Sequence, residues 1–283
     1  MAKQLLGKEV TAAMNEKIKA NVAKLQEKGI TPTLGIIRVG ERDDDISYER
    51  GATKRCETLG VAYEKFLLPQ DVAEEELLAV IDQVNKNDAI HGVLLFRPLP
   101  KHLNEEKIIN ALDFEKDVDG ITDGSMAGVF AGKKQGFPPC TPQGCMEILD
   151  HYGIDCTGKK AVVVGRSLVV GKPAAMMLIQ KNATVTICHT KTVDMPSVVK
   201  EADIVIVAAG RAGVIDGSYL REGQVVIDVG INVNEEGKLC GDVKYDEAEK
   251  IVDAITPVPG GAGSVTTSVL VGHVVEAAMR KYL

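Results

Sequence analysis

Arg166, Ser167 and Gly171 lie between two apolar runs, residues 161–164 and 174–179. This spacing predicts a buried strand, a turn at Gly165 and a helix opened near Pro173, whose missing N–H is no loss in a first turn. Free N–H groups at such a helix start, with the dipole behind them, favour a pyrophosphate. The spacing departs from Gly-x-Gly-x-x-Gly: Ser167 takes the second glycine's place and Gly171 arrives one residue late, so a longer turn that offers a hydroxyl is expected. A βα crossover that binds nothing would leave the same pattern. The next predicted strand, residues 183–189, ends in His189, Thr190 and Lys191, where an NAD enzyme commonly carries an acidic residue for the ribose hydroxyls. With no carboxylate there and Arg166 in the turn, a 2′-phosphate is better accommodated, and NADP is expected over NAD.

No metal is expected. His91, His102, His151 and His273 show no ligand spacing, and Cys140 with Cys145 lacks the second pair that a zinc site needs. The six cysteines are scattered and read as reduced thiols, mostly buried.

The elements that must position these groups alternate. A helix over residues 9–28 precedes a strand at 33–39. Helix 46–59, strand 63–68, helix 74–85, strand 90–96 and helix 105–112 follow, which implies a parallel sheet of at least three strands. From 113 to 142 glycine, proline and turn residues dominate, and a long irregular segment in a compact chain is usually functional. A helix at 143–152 leads into the nucleotide-binding half, with further strands at 203–209 and 224–229, a hairpin-like piece at 237–243, and a last helix at 264–280.

The chain has 283 residues, beyond the size at which one core usually keeps growing, so two domains are expected. Their bounds are 1–142 plus 264–283 for a discontinuous first domain, and 143–263 for a doubly wound, Rossmann-like second one. The charge balance, 33 basic against 40 acidic residues, has no basic run, and aromatics make up only 4%, which argues against a nucleic-acid surface. A small molecule is the expected partner. No apolar stretch reaches about 18 residues and the first residues are too charged for a signal peptide, so no membrane association and a cytoplasmic location are expected.

Five stretches occur in order: Val39-Gly40 with Ser47-Tyr48; Lys116-Asp-Val-Asp-Gly120; Pro139-Cys-Thr-Pro142; Val164-Gly-Arg-Ser167 with Val170-Gly-Lys-Pro173; and Asp228-Val-Gly-Ile-Asn232 followed by Thr256-Pro-Val-Pro-Gly-Gly261. In this the chain resembles the methylenetetrahydrofolate dehydrogenase/cyclohydrolase family of one-carbon metabolism along essentially its whole length. The resemblance implies two α/β domains with the active cleft between them, generally in a homodimer. It implies oxidation of 5,10-methylenetetrahydrofolate with NADP to the methenyl form, which bifunctional members hydrolyse to 10-formyltetrahydrofolate. It also implies a cofactor-facing role for Gly165, Arg166, Ser167, Gly171, His189, Thr190 and Ile231, and a substrate-facing one for Tyr48, Phe96, Asp119, Pro259, Gly260 and Gly261, with Tyr48 and Asp119 catalytic.

The chain departs from the family pattern where the chemistry happens. The family's lysine, four residues after the tyrosine, is Ala52, and its Gln-Leu-Pro-Leu-Pro is Phe96-Arg97-Pro98-Leu99-Pro100. Lys54, two residues beyond position 52, is turned about 200° away from it on a helix and is a poor substitute. Arg55 and Arg97 are poor proton acceptors at neutral pH; binding the folate's carboxylates and serving as solvated surface charges are equally open roles for them. Ser125-Met-Ala-Gly128 and Gly261-Ala-Gly-Ser-Val-Thr266 depart as well. Asp119 can accept two parallel hydrogen bonds from a pterin's amino group and ring N–H, or it can be a turn aspartate bonding its own backbone, the role left to Asp117. Tyr48 can meet the pterin or anchor its helix in the core. The expectation is a dehydrogenase whose cyclohydrolase step is weak or lost. The alternatives are a bifunctional enzyme whose water activation has moved to another group, and a noncatalytic folate- or nucleotide-binding protein.

Overall fold

The computed structural model describes residues 1–283. In chain order the elements are β1 (Lys3–Gln4), α1 (Gly7–Glu27), β2 (Thr33–Val39), α2 (Asp43–Leu59), β3 (Ala62–Leu68), α3 (Glu74–Lys86), β4 (Gly92–Leu95), α4 (Glu105–Ala111) and α5 (Asp123–Ala131). Then come α6 (Cys140–His151), β5 (Lys160–Val164), α7 (Gly171–Gln180), β6 (Thr184–Cys188), α8 (Met195–Lys200), β7 (Ile204–Val207), β8 (Val225–Asp228), β9 (Asn232–Val233), β10 (Leu239–Cys240), α9 (Tyr245–Ala248), β11 (Ala254–Ile255) and α10 (Thr266–Tyr282). The chain divides into two α/β units, one comprising Ala13–Cys140 with Thr267–Leu283, the other Met1–Ala12 with Thr141–Thr266.

The first unit holds a parallel sheet ordered β3-β2-β4, with Ile37 paired to both Phe66 and Leu95. β2, the central strand, is buried from Leu34 to Val39, and the edge strand β4 is buried along its length, as parallel strands covered on both faces must be. Its core joins Ile37, Val93 and Leu95 to Leu77, Ile81 and Val84 of α3 and to Ile108 of α4. The segment predicted irregular contains α5. Its glycines suggest turns, but Gly124 packs where a Cβ would meet Phe114 at 2.8 Å and Gly128 where one would meet the Gln135 carbonyl at 2.2 Å. Thr122 caps the helix by accepting from the Ser125 N–H at 3.1 Å.

The second unit is a six-stranded parallel sheet ordered β1-β11-β8-β7-β5-β6. From β5 the chain steps outward to β6 and then returns to the other side of β5 as β7, so the order reverses between β5 and β7. Ligands of doubly wound sheets bind at the carboxyl ends of the strands at such a switch point. The expected assignment of the first residues is corrected here: β1 pairs with β11, the Leu5 N–H donates to the Ile255 carbonyl at 2.9 Å, and Leu5 is buried. Two residues suffice to extend the sheet edge, and no periodicity announces so short a strand. The helical stretch Ala262–Tyr282, which includes α10, is long and apolar enough by composition to cross a membrane, but 67% of its most apolar window is buried within the fold, as in a core helix.

Candidate active site

In the nucleotide half, two glycines bring the backbone together. Gly165 has φ +123°, and a Cβ there would lie 2.2 Å from the Ala208 carbonyl oxygen. At Gly171 a Cβ would lie 2.2 Å from the Gly165 carbonyl oxygen, so the helix start can close on the strand end only without side chains. The helix begins at Gly171, two residues before Pro173. Ser167 shapes the turn: its Oγ accepts from the Val170 N–H at 3.1 Å, and its carbonyl accepts from the Lys172 N–H at 3.0 Å. The hydroxyl proton therefore remains available to a ligand. The backbone N–H groups of residues 166–169 donate to nothing within the chain, and the Arg166 side chain is exposed. A cradle of open N–H groups walled by glycine fits the pyrophosphate of a dinucleotide.

His189 follows the end of β6 and is half-buried. Its Nδ1 accepts from the Lys191 N–H at 3.1 Å and its own N–H donates to Thr192 Oγ1 at 2.9 Å, so this corner is a built turn, with Thr190 exposed. Ile231 is 63% exposed, and a Cβ on Gly263 would lie 3.0 Å from its Cδ1. Pro259, Gly260 and Gly261 form the loop after β11, and the Gly260 carbonyl accepts from the Gly7 N–H at 2.9 Å.

In the other half, the two aspartates of Lys116-Asp-Val-Asp-Gly120 have different surroundings. Asp117 is fully buried and accepts from the Ile121 N–H at 3.0 Å, the Thr122 N–H at 2.7 Å and the Thr122 hydroxyl at 2.7 Å. Asp119 makes no such turn bonds; its carboxyl faces Cys140, Tyr48 and, at longer range, Arg97. Burial pushes the Asp119 carboxyl up to about 6, opposed first by a hydrogen bond from the Cys140 thiol and raised further by the charge of Asp117. The Tyr48 hydroxyl is held well above its ordinary value by burial, then by Asp119 and Cys140. Tyr48 meets Phe96 edge to face with ring centroids 5.9 Å apart. The structure thus brings Tyr48, Phe96 and Asp119 together in one unit.

Ala52 is 0% exposed, one turn of α2 beyond Tyr48. Arg55 is half-buried and burial lowers its proton affinity. The residue that the sequence did not single out is Cys140, which packs against Val118 and His273. Its Sγ also lies 3.3 Å from the Val118 carbonyl oxygen, which lies 2.8 Å from His273 Nδ1. A lone cysteine next to prolines gives no periodic signal that could have marked it.

Two family models match the chain: the tetrahydrofolate dehydrogenase/cyclohydrolase catalytic domain over residues 5–119, and the NAD(P)-binding domain of the same family over residues 139–282. The chain belongs to this family. It is 55% identical over 279 residues to the bifunctional protein FolD of Carboxydothermus hydrogenoformans, covering 98% of this chain and 97% of that protein. Among solved structures it is similar to the bifunctional methylenetetrahydrofolate dehydrogenase/cyclohydrolase FolD of Campylobacter jejuni, with TM-score 0.96 and 38% identity over 99% of this chain and 100% of that one. The Trypanosoma brucei methylenetetrahydrofolate dehydrogenase-cyclohydrolase, solved with NADP and an inhibitor, matches with TM-score 0.92 and 33% identity over 99% of this chain and 98% of that one.

Proposed function

We propose that the chain oxidises 5,10-methylenetetrahydrofolate to 5,10-methenyltetrahydrofolate with NADP and hydrolyses the product to 10-formyltetrahydrofolate, working as a cytoplasmic homodimer. The observation that carries the reading is Asp119: a desolvated carboxyl, released from holding its own loop by Asp117, beside Tyr48. The bifunctional names of relatives that match nearly end to end support the second step.

In this reading the ionised Asp119 accepts the pterin's amino group and ring N–H, and the Tyr48–Phe96 pair offers the ring an apolar wall. Pro259, Gly260 and Gly261 supply backbone groups to the substrate. The N–H groups of residues 166–169 and the Ser167 hydroxyl receive the pyrophosphate, Arg166 meets the 2′-phosphate, His189 and Thr190 border the ribose, and Ile231 covers the nicotinamide end. The dinucleotide, when bound, supplies the hydride acceptor. Loss of hydride from the methylene carbon is assisted by the adjacent nitrogen and asks the chain chiefly for alignment. Hydrolysis asks for a proton acceptor as well. With alanine at 52 and phenylalanine at 96, Asp119 is the group in this cluster whose proton affinity lies nearest neutrality.

A second reading, with hydrolysis weak or lost, is favoured by one observation: the positions at which the family resemblance puts lysine and glutamine are a fully buried alanine and a nearly buried phenylalanine, 0% and 8% exposed. Calorimetry tests the substrate site that both readings share. Asp119→Ala abolishes folate binding and leaves nucleotide binding unchanged; a variant that binds folate normally returns Asp119 to a structural role.

A further inference from the structure

Beyond β7 the chain turns away from the sheet as residues 208–212, facing Gly165 across the switch point, where a Cβ on Gly165 would lie 2.2 Å from the Ala208 carbonyl oxygen. A turn at this place walls the crevice in which the strand order reverses. Its three central N–H groups make no bonds among themselves. All three donate to one carboxylate: Asp242 Oδ2 accepts from Ala209 N–H at 2.6 Å and Gly210 N–H at 2.8 Å, and Oδ1 accepts from Arg211 N–H at 2.9 Å. Oδ1 also accepts from Asn232 Nδ2 at 2.9 Å, which ties in β9.

Asp242 is fully buried and no cation pairs with it. Four N–H dipoles stand in for a counter-charge, and a neutral amide could not accept from all of them. Asp242 is itself anchored by Asp228, the last residue of β8, whose Oδ1 accepts from the Asp242 N–H at 3.0 Å and whose Oδ2 accepts from the Val243 N–H at 2.9 Å. The chain of bonds thus runs from the sheet through Asp228 and Asp242 to the turn beside the glycine cradle.

We infer that Asp242 is a positioning residue for dinucleotide binding: by gathering three successive N–H groups it fixes the 208–211 turn as the wall opposite Gly165. It acts through the turn and has no contact of its own with the dinucleotide. The inference rests on the reading that a dinucleotide occupies the switch point.

The test is the dissociation constant of NADPH, followed by its fluorescence, together with steady-state kinetics. Asp242→Asn keeps the shape but turns an amino group toward N–H donors. It raises the Kd and the dinucleotide KM about tenfold or more, with kcat and the affinity for folate nearly unchanged. Gly210→Ala strains the same turn without a clash, since Gly210 has φ +65° and no atom within 4 Å of a new Cβ, and it shifts Kd in the same direction. An Asp242→Asn protein with native melting temperature and native Kd overturns the inference. If that variant does not fold, Gly210→Ala decides: a raised Kd upholds the role of the turn, and an unchanged one overturns it. Native protein that binds no NADPH would overturn the cofactor reading together with the inference, whereas native binding with unaffected variants overturns the inference alone.

Discussion

Asp117 and Asp119 are two residues apart on one loop and differ in what they hold: the Asp117 carboxylate takes three hydrogen bonds from the loop that follows it, and the Asp119 carboxyl takes none from that loop. The first fixes the turn, which leaves the second exposed to its neighbours Tyr48 and Cys140 and to any ligand.

The Asp119 carboxyl lies at about 6, against an ordinary value of 3.8, so two pH effects of opposite benefit are expected. Folate binding needs the ionised form and is full above pH 6, weakening as pH falls through that value; in Asp119→Asn the step disappears and affinity is lower by about 1.5–3 kcal/mol. Stability without ligand behaves the other way. A raised carboxyl favours the protonated folded state, so its cost is absent below the unfolded value and complete above the folded one. Asp119→Asn therefore stabilises the ligand-free protein by up to about 3 kcal/mol at pH 7.5, and the gain vanishes below pH 4. Calorimetry across pH 5–8 checks the binding, and thermal melts at about pH 3.5 and pH 7.5 check the stability.

Arg166→Ala is expected to reduce the preference for NADP over NAD by roughly one to two powers of ten in kcat/KM, the loss of a charge-assisted contact of about 1.5–3 kcal/mol. Comparing both cofactors with native and variant protein measures it; equal use of both by the native chain would remove Arg166 from this role.

Gly165→Ala is expected to destabilise the fold by about 1–3 kcal/mol and to abolish nucleotide binding, since the new Cβ meets the Ala208 carbonyl and the backbone must leave φ +123°. Denaturant unfolding and NADPH fluorescence follow the two losses separately.

The strand, glycine turn and helix of residues 161–179 were legible because buried parallel strands read as continuous apolar runs and the turn needs glycine where backbones touch. Helix α5 was hidden because Gly124 and Gly128 serve packing against Phe114 and Gln135, and glycine bears the same letter whether it bends a chain or admits a neighbour. β1 was hidden because its place is set by a partner some 250 residues away, Ala254–Ile255, and not by its own two residues. Asp119 could be named from its motif, but its difference from Asp117 depends on which N–H groups surround each. Asp242 gave no signal at all, since its four donors come from residues 209–211 and 232.

Ala52 and Phe96 bear on the hydrolytic step. General acid–base assistance is worth about 10²–10⁴-fold, and with another group supplying it the native chain hydrolyses methenyltetrahydrofolate faster than the spontaneous reaction by that order. Hydrolysis at the spontaneous rate, rising in the Ala52→Lys, Phe96→Gln double variant, would identify those two positions as the place where the step was lost.

The most direct measurement is absorbance after mixing native protein with 5,10-methylenetetrahydrofolate and NADP, against an enzyme-free control that corrects for unaided hydrolysis. Reduced nucleotide is expected to accumulate while the methenyl species stays low, because the same chain removes it. Reduced nucleotide with lingering methenyl product would contradict the hydrolytic half of the account, and no reduced nucleotide would contradict the whole.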